Sequence, residues 1–142
     1  MRVNRDTIEI HTTTTQQFLD ITKSAQAVVD GSGIRNGILL INSLHTTIAL
    51  FINEFQTALL DDVAVILQKL IPRRSGYRHD DPRYSDCDRA NAHAHLRATL
   101  LGRSIALGVA DRAILLGQYQ RVILAELDGP RDRHLQVQVL GD

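Results

Sequence analysis

Short runs rich in β-branched residues, grouped toward the two ends of the chain, constrain its fold more than any other feature. Segment 134–141, HLQVQVLG, alternates apolar and polar residues and predicts a strand with one polar face. Segment 37–43, GILLINS, is almost continuously apolar, which is typical of a strand buried on both faces. Segment 46–53, TTIALFIN, predicts another strand close behind it. Segment 3–18 predicts one strand, or two strands joined near the threonine run.

Three helical segments interrupt these strands. Segment 22–33 predicts a short helix, capped by Thr22 or Ser24 and ended by its glycines. Segment 55–72 predicts an amphipathic helix that its proline stops. The apolar residues of this second helix recur at spacings of three and four, at Leu59, Val63, Ile66, Leu67 and Leu70. A third helix is predicted over 91–101, ended by the glycine that follows.

The remaining apolar runs complete an antiparallel arrangement. Further strands are predicted over 104–109, 113–117 and 119–127, between turn signals. The chain thus has about seven or more strands and three helices, with the strands toward both ends. This order predicts an α+β fold with a largely antiparallel β-sheet core or sandwich, rather than a doubly wound parallel sheet. A length of 142 residues suits one domain, spanning 1–142.

The composition argues against several classes of partner. The chain has 16 Lys+Arg and 16 Asp+Glu, so its formal net charge is zero and nothing attracts it to nucleic acid or an anionic membrane. A near-zero net charge is also permissive for self-association. The single cysteine, Cys87, excludes an internal disulfide. Because the first residues lack the apolar run of a signal peptide, we expect a cytoplasmic protein.

The first polar cluster lies between two predicted strands. Ser43, His45, Thr46 and Thr47 follow the apolar run of 37–43 and precede the next strand. A histidine there either satisfies backbone groups in the turn or faces a functional site. Farther along, Asn53 and Glu54 form a second cluster, which predicts either an N-cap for the following helix or a place in a site.

The stretch 85–102, SDCDRANAHAHLRATLLG, concentrates residues that bind metals or transfer protons. His93 and His95 lie about 200° apart on a helix, so we expect only one of them to face a given site. A His-x-His pair with nearby aspartates is a weak zinc signal, and Asp86 or Asp88 could hold Mg²⁺ beside phosphate oxygens. The alternative for these aspartates is helix capping and solvation.

The turn 126–133 carries the last cluster. Glu126 emerges at the end of an apolar strand, and Arg131 and Arg133 follow it across the sequence DGPRDR. Arginine suits bidentate recognition of phosphate. The alternative is a salt-bridged hairpin that contributes little stability. The residues alone therefore indicate a small α+β domain with a possible His/Asp/Arg site for an anion or a metal.

Taken in order, three segments resemble the YjbQ family, also described as secondary thiamine-phosphate synthases. They are LLINSLHTTIALFINE (39–54), NAHAHLRATLLGRSIALGV (91–109) and GQYQRVILAELDGPRDRHLQVQVLG (117–141). The resemblance spans about residues 36–142. One departure is Tyr119, which stands where family members usually carry tryptophan; it keeps an amphipathic ring but loses indole area.

The resemblance implies a YjbQ-like fold, a homotrimer with pockets near subunit boundaries, and a transferase activity. That activity would join a pyrimidine methyl diphosphate to a thiazole phosphate and release pyrophosphate. The predicted catalytic residues are His45, His95 and Glu126. The predicted residues for binding the phosphorylated substrate are Thr46, Thr47, Asn53, Glu54, Asn91, Arg131 and Arg133. The predicted ligands for Mg²⁺ or Zn²⁺ are His45, His95 and Asp88. The alternatives are a metal-dependent hydrolase using His45 and His95, and a non-catalytic trimeric binder of anions or small ligands.

Overall fold

A computed structural model describes all 142 residues, with three α-helices and eight strands. The strands are β1 (Arg2–His11), β2 (Gln17–Asp20), β3 (Gly37–Ser43), β4 (Ile48–Asn53), β5 (Ser104–Ala110), β6 (Ala113–Ile114), β7 (Arg121–Glu126) and β8 (Asp132–Gly141). The helices are α1 (Thr22–Ser32), α2 (Thr57–Leu70) and α3 (Ala92–Leu101), and a single 3₁₀ turn covers Arg78–Asp80.

The strands form two sheets, and within each sheet every pair of neighbouring strands is antiparallel. Sheet A has the order β1-β8-β3-β5-β6, and sheet B has the order β2-β7-β4. In sheet A, β8 pairs with β1 from Arg2 opposite Gly141 to His11 opposite Asp132, and with β3 on its other side. The predicted α+β class with a largely antiparallel core is confirmed.

The main core lies between the two sheets. It combines alternate residues of sheet A, the inward residues of β4 and β7, and one face of α1. A second, smaller core lies on the opposite face of sheet B, where α2 and α3 cover Ala49 and Ala125. Sheet B is therefore buried on both faces, which explains why β7 reads as an unbroken apolar run.

Two helix starts differ from their prediction. α1 begins without a side-chain cap, because the hydroxyl of Thr22 donates to Asp20 (2.6 Å) and accepts the N–H of Val122 (2.9 Å). The side chain of Gln56 caps α2 by accepting the N–H of Leu59 at 2.8 Å. Asn53, predicted as that cap, is the last residue of β4 instead.

Helix α2 buries less of its apolar side than its periodicity predicts. Leu60 and Leu67 are buried, and Val63 packs against the smaller core. Ile66 and Leu70 remain 48% and 62% exposed, because a three-stranded sheet covers only a narrow stripe of the helix. None of the three α-helices has the length and apolar character that a bilayer crossing requires.

The strand predicted over 113–117 is much shorter, because β6 covers only Ala113–Ile114. After it the chain folds into a tight turn, in which the Gln120 side chain accepts the N–H of Gly117 at 2.7 Å. Tyr119, at the tip of this turn, is 66% exposed.

Gly37 provides a test of the close packing between β3 and β8. A Cβ on Gly37 would overlap the carbonyl oxygen of Leu140, which is backbone and cannot rotate away. We expect Gly37→Ala to lower the free energy of unfolding by about 3 kcal/mol in urea denaturation. The matched control is Gly31→Ala in α1, where the added Cβ meets no atom within 4 Å. This control should gain about 0.5–1 kcal/mol. Equal effects of the two substitutions would contradict the packing described.

Candidate functional site

The candidate site lies where the turn between β3 and β4 meets helix α3. A cavity of about 490 Å³ opens there, within the size range of small-molecule sites. Its lining residues are Leu44, His45, Thr46, Ile48, His95, Ala98, Thr99, Gly102 and Arg103. The structure thus brings together His45, Thr46 and His95 from two clusters that are about 50 residues apart in the sequence.

His45 is held in one orientation and one tautomer by the neighbouring strand. Its Nε2 accepts the main-chain N–H of His134, at the start of β8, with a distance of 3.0 Å. Because an amide N–H can bond only to an unprotonated nitrogen, the proton of the neutral ring lies on Nδ1. The side chain of Ser43 supports the turn by accepting the main-chain N–H of His45 at 3.1 Å. His45 therefore offers the cavity a hydrogen-bond donor.

His95 differs from His45 because neither of its ring nitrogens makes a hydrogen bond within the chain. The hydrogen bonds of His95 are made by its main chain: its N–H donates to Asn91, and its carbonyl accepts from the hydroxyl of Thr99 at 2.9 Å. Its ring lies against the ring of His79, with centroids 4.8 Å apart. His93, two residues earlier on the helix, is buried and does not line the cavity.

Both cavity histidines are poised in the neutral form near pH 7. Burial lowers the pKa of His45, and the neighbouring Arg133 and His134 lower it further. Burial also lowers the pKa of His95, with a further effect of the same sign from His79. Arg131 lowers the pKa of both histidines, so its positive charge acts on both sides of the site. A lone neutral imidazole in such a pocket is suited to accept a proton.

Asp128 fixes the position of Arg131. Its carboxylate accepts hydrogen bonds from Arg131 (2.7 Å), from Asn91 at the start of α3 (2.8 Å) and from Arg89 in the preceding loop (3.2 Å). Burial raises the pKa of Asp128, but its hydrogen bonds and the two arginines outweigh burial and hold that pKa below its usual value. Asp128 is therefore a carboxylate that ties together the loop between α2 and α3 (residues 71–91, the polar loop), α3 itself and the turn after β7.

Glu126 and Arg133 form a buried ion pair behind the cavity. Arg133 donates to both carboxylate oxygens of Glu126, at 2.9 and 2.6 Å, and to the hydroxyl of Thr47. The hydroxyl of Thr12 donates to the same carboxylate at 2.7 Å. Burial raises the pKa of Glu126, and these hydrogen bonds more than reverse that effect. The structure thus pairs Glu126 and Arg133 with each other and with neighbouring hydroxyl and main-chain N–H groups.

Asn53, Glu54 and Asp88 are predicted site residues that neither line the cavity nor share the hydrogen bonds of Glu126 and Asp128. Asn53 is the last residue of β4, about 17 Å along the strand from Ile48 because each residue of a strand advances about 3.3 Å, and Glu54 follows it. Asp88 is exposed in the polar loop and does not line the cavity.

The donor set of the cavity falls short of a metal centre within one chain. No three His, Cys, Asp or Glu side chains stand close enough to hold a metal ion. Catalytic zinc usually takes three protein ligands, whereas this cavity supplies two imidazoles and no carboxylate. The binding of Mg²⁺ or Zn²⁺ stays a prediction, and no chemical step proposed below depends on it.

Sequence reasoning missed three residues of this region: Thr99, Arg103 and Asp128. Thr99 lies four residues after His95, so both side chains share one face of a helix, and this spacing could have predicted Thr99 as a cavity residue. Arg103 and Asp128 carried no such signal, since charged residues next to glycine turns are common on surfaces.

The histidines predict how stability depends on pH. Burial lowers the pKa of His93 below its ordinary value of 6.5, and its buried Nδ1 has no hydrogen-bond partner. His45 and His95 shift in the same direction. The unfolded chain therefore binds more protons than the folded one below about pH 6.5, and stability is lost as the pH falls from there through the folded pKa values.

We expect the free energy of unfolding of His93→Leu to fall less than that of the parent as the pH is lowered. At pH 7 the variant should be at least as stable as the parent, because it lacks an unpaired buried polar group. Urea denaturation at intervals between pH 8 and 5 measures both effects. His11→Leu is the control: its hydrogen bond to Asp132 raises the pKa of His11, so its loss should change stability in the opposite sense. An unchanged pH slope in His93→Leu would contradict the assignment.

Comparison with known proteins places the chain among relatives without an assigned activity. A family model described as "UPF0047 protein YjbQ-like" matches residues 6–142. A "UPF0047 protein" of Methanothermobacter thermautotrophicus is 39% identical over 141 residues, covering 99% of this chain and 94% of the relative. The "UPF0047 protein YugU" of Bacillus subtilis is 29% identical, covering 95% of this chain and 98% of that protein.

Solved structures agree with this relationship. A YbjQ-like protein of unknown function from Sulfolobus solfataricus has a TM-score of 0.91 and 35% identity, and the match covers 99% of each chain. A hypothetical protein from Aeropyrum pernix has a TM-score of 0.88 and 29% identity, with 98% of this chain and 99% of that chain covered.

These names correct the activity expected from the resemblance. The thiamine-phosphate synthase prediction is wrong, because the matching relatives are known only as UPF0047 proteins and the matching structure is described as having unknown function. The metal-dependent hydrolase and the trimeric binder gain no better support from the same relatives. The family itself is shown by the match over nearly the whole chain, and the protein belongs to the YjbQ-like UPF0047 family.

Proposed function

We propose that the cavity between His45 and His95 catalyses proton transfer next to a carbonyl group of a small anionic compound. One observation carries this proposal. The main-chain N–H of His134 occupies the acceptor nitrogen of His45, while both ring nitrogens of His95 remain without a partner in the chain. The same cavity therefore presents one histidine as a hydrogen-bond donor and one as a base.

The two histidines have complementary roles in this reaction. A neutral nitrogen of His95 takes the proton from a carbon next to the carbonyl. The electron pair of the broken C–H bond forms a C=C bond, and the π pair of the carbonyl moves to its oxygen. The Nδ1–H of His45 donates a hydrogen bond to the oxyanion that develops there. After the proton on His95 has exchanged with solvent, its return to the same carbon re-forms the carbonyl, so the net reaction is hydrogen exchange at that carbon.

The surrounding charges favour an anionic substrate. Arg103 lines the cavity, and the charge of Arg131 acts on both histidines. Guanidinium groups bind carboxylate or phosphate with paired hydrogen bonds. The cavity volume suits a compound of a few carbon atoms with one such group. Phosphorylated ketones and 2-oxo acids combine a carbonyl group with this charge.

Deuterium exchange tests the proposal with small carbonyl compounds as probes. The protein is incubated in D₂O with pyruvate, 2-oxobutyrate and dihydroxyacetone phosphate, and the C–H signals next to each carbonyl are followed by proton NMR. We expect exchange of at least one compound above the rate in buffer. If all three compounds exchange no faster with the protein than in buffer, the proposal is wrong.

We propose in addition that the protein acts as a homotrimer. Exposed apolar residues on α2 support self-association, since Val65, Ile66 and Leu70 are 51%, 48% and 62% exposed on one chain. The zero net charge leaves little electrostatic repulsion between copies. Light scattering during gel filtration should give three times the 15.8 kDa of one chain. A monomer mass at micromolar concentration would contradict a trimer.

A further inference from the structure

A second cavity lies on the other side of His95. It has a volume of about 300 Å³ and is lined by Tyr77, Arg78, His79, Ala92, His95 and Leu96. His95 is the one residue that lines both this cavity and the cavity of the proposed reaction. The two cavities therefore lie next to each other and share His95 as a common wall.

The walls of the second cavity are tied to the rest of the fold. The hydroxyl of Tyr77 donates to the carbonyl of Pro72 at 2.8 Å. Asp80, at the end of the 3₁₀ turn, accepts the main-chain N–H of Ala92 at 2.9 Å and so attaches this turn to the first residue of α3. These two hydrogen bonds attach the cavity-lining segment 77–80 to Pro72 and to the start of α3.

The lining favours a flat, apolar group. The rings of His79 and His95 meet at 55° with centroids 4.8 Å apart, and together they form an aromatic corner. The side chains of Ala92, Leu96 and Tyr77 make the rest of the wall largely apolar. Aromatic rings pack well into such corners, since offset and edge contacts between rings add to the burial of apolar surface.

We propose that the second cavity binds an aromatic ring, attached to the anionic head that occupies the first cavity. This inference rests on the proposed function, because it deepens the substrate class of the same site. The substrate is then an anionic carbonyl compound that carries an aromatic group, and His95 lies between the reacting carbon and the ring.

Calorimetric titration with two probes tests this subsite on the full chain. Inorganic phosphate reports the anion site alone, and phenyl phosphate adds the ring. We expect phenyl phosphate to bind about tenfold more tightly, as burial of a ring's apolar surface allows. In Leu96→Asp this advantage should disappear, whereas the affinity for inorganic phosphate should stay unchanged.

The chain offers a matched control on the same helix. Leu100 is 58% exposed and lines neither cavity, so Leu100→Asp should keep the tenfold advantage. Equal affinity of the two probes for the parent protein would overturn the aromatic subsite and leave the anion site standing. An advantage that survives Leu96→Asp would overturn it as well. If neither probe binds, the proposed function and this inference are both overturned.

Discussion

His95→Gln should reduce the catalysed proton exchange by about 10²–10⁴-fold, the usual contribution of a general base. Glutamine keeps a polar side chain of similar reach, but its amide nitrogen does not accept a proton near neutral pH. The ring of His95 makes no hydrogen bond to the chain, so its removal leaves no buried partner unsatisfied. The rate of loss of the C–H signal in D₂O, with whichever probe the parent protein exchanges, measures the effect.

The pH profile of exchange reports the protonation of His95. Because burial lowers the pKa of His95, exchange in the parent protein should hold from neutral pH downward until the pH falls below 6.5 and passes the lowered value. His11→Gln is the control, since that residue is exposed on β1 and bonds to Asp132 instead of lining the cavity. A His95→Gln protein that unfolds at the parent's midpoint and exchanges at the parent's rate would remove His95 from the mechanism.

Arg133→Met should lower the free energy of unfolding by about 3–5 kcal/mol, because it leaves the carboxylate of Glu126 buried without its counter-ion. The side chains of Arg133 and Glu126 are 2% and 0% exposed, so water cannot replace the lost donor. The hydroxyl of Thr47 also loses its partner. Urea denaturation at pH 7 gives the value.

Two further variants show whether the loss comes from the orphaned charge. Arg133→Met combined with Glu126→Leu should recover much of the stability, since a buried ion pair can be replaced by apolar residues at little cost. Arg35→Met is the exposed control: the pair of Arg35 and Asp111 is 66% and 77% exposed and should contribute less than about 1 kcal/mol. Similar losses in Arg35→Met and Arg133→Met would contradict the account of a buried charge.

The strands that the sequence predicts best are those whose residues alternate or run apolar throughout. The prediction for 37–43 coincides with β3, and that for 134–141 lies within β8. In both strands the pattern of apolar residues agrees with the burial seen in the structure, because each strand packs on the core along its whole predicted length. Prediction failed at 113–117, where apolar residues follow a turn and the chain leaves the sheet after two residues.

The candidate site was only partly predictable for a related reason. His45 and His95 stood out because polar residues interrupt apolar runs there. That they share a cavity follows from the packing of α3 against β4 in three dimensions, which no local pattern encodes. Asn53 and Glu54 were included because the family resemblance implied them, yet β4 carries the chain away from the cavity before it reaches them. The tautomer of His45 depends on an amide 89 residues away.

The strand order has a consequence for how the chain is made on the ribosome. The central strand of sheet B is β7 and the inner partner of β1 and β3 is β8, and both come from the last 22 residues of the chain. Until these residues emerge, β1, β2 and β4 have no partner strand, and β3 has only β5. Neither sheet can therefore be completed before residues 121–141 have been made, and β1, β2 and β4 are open to aggregation until then.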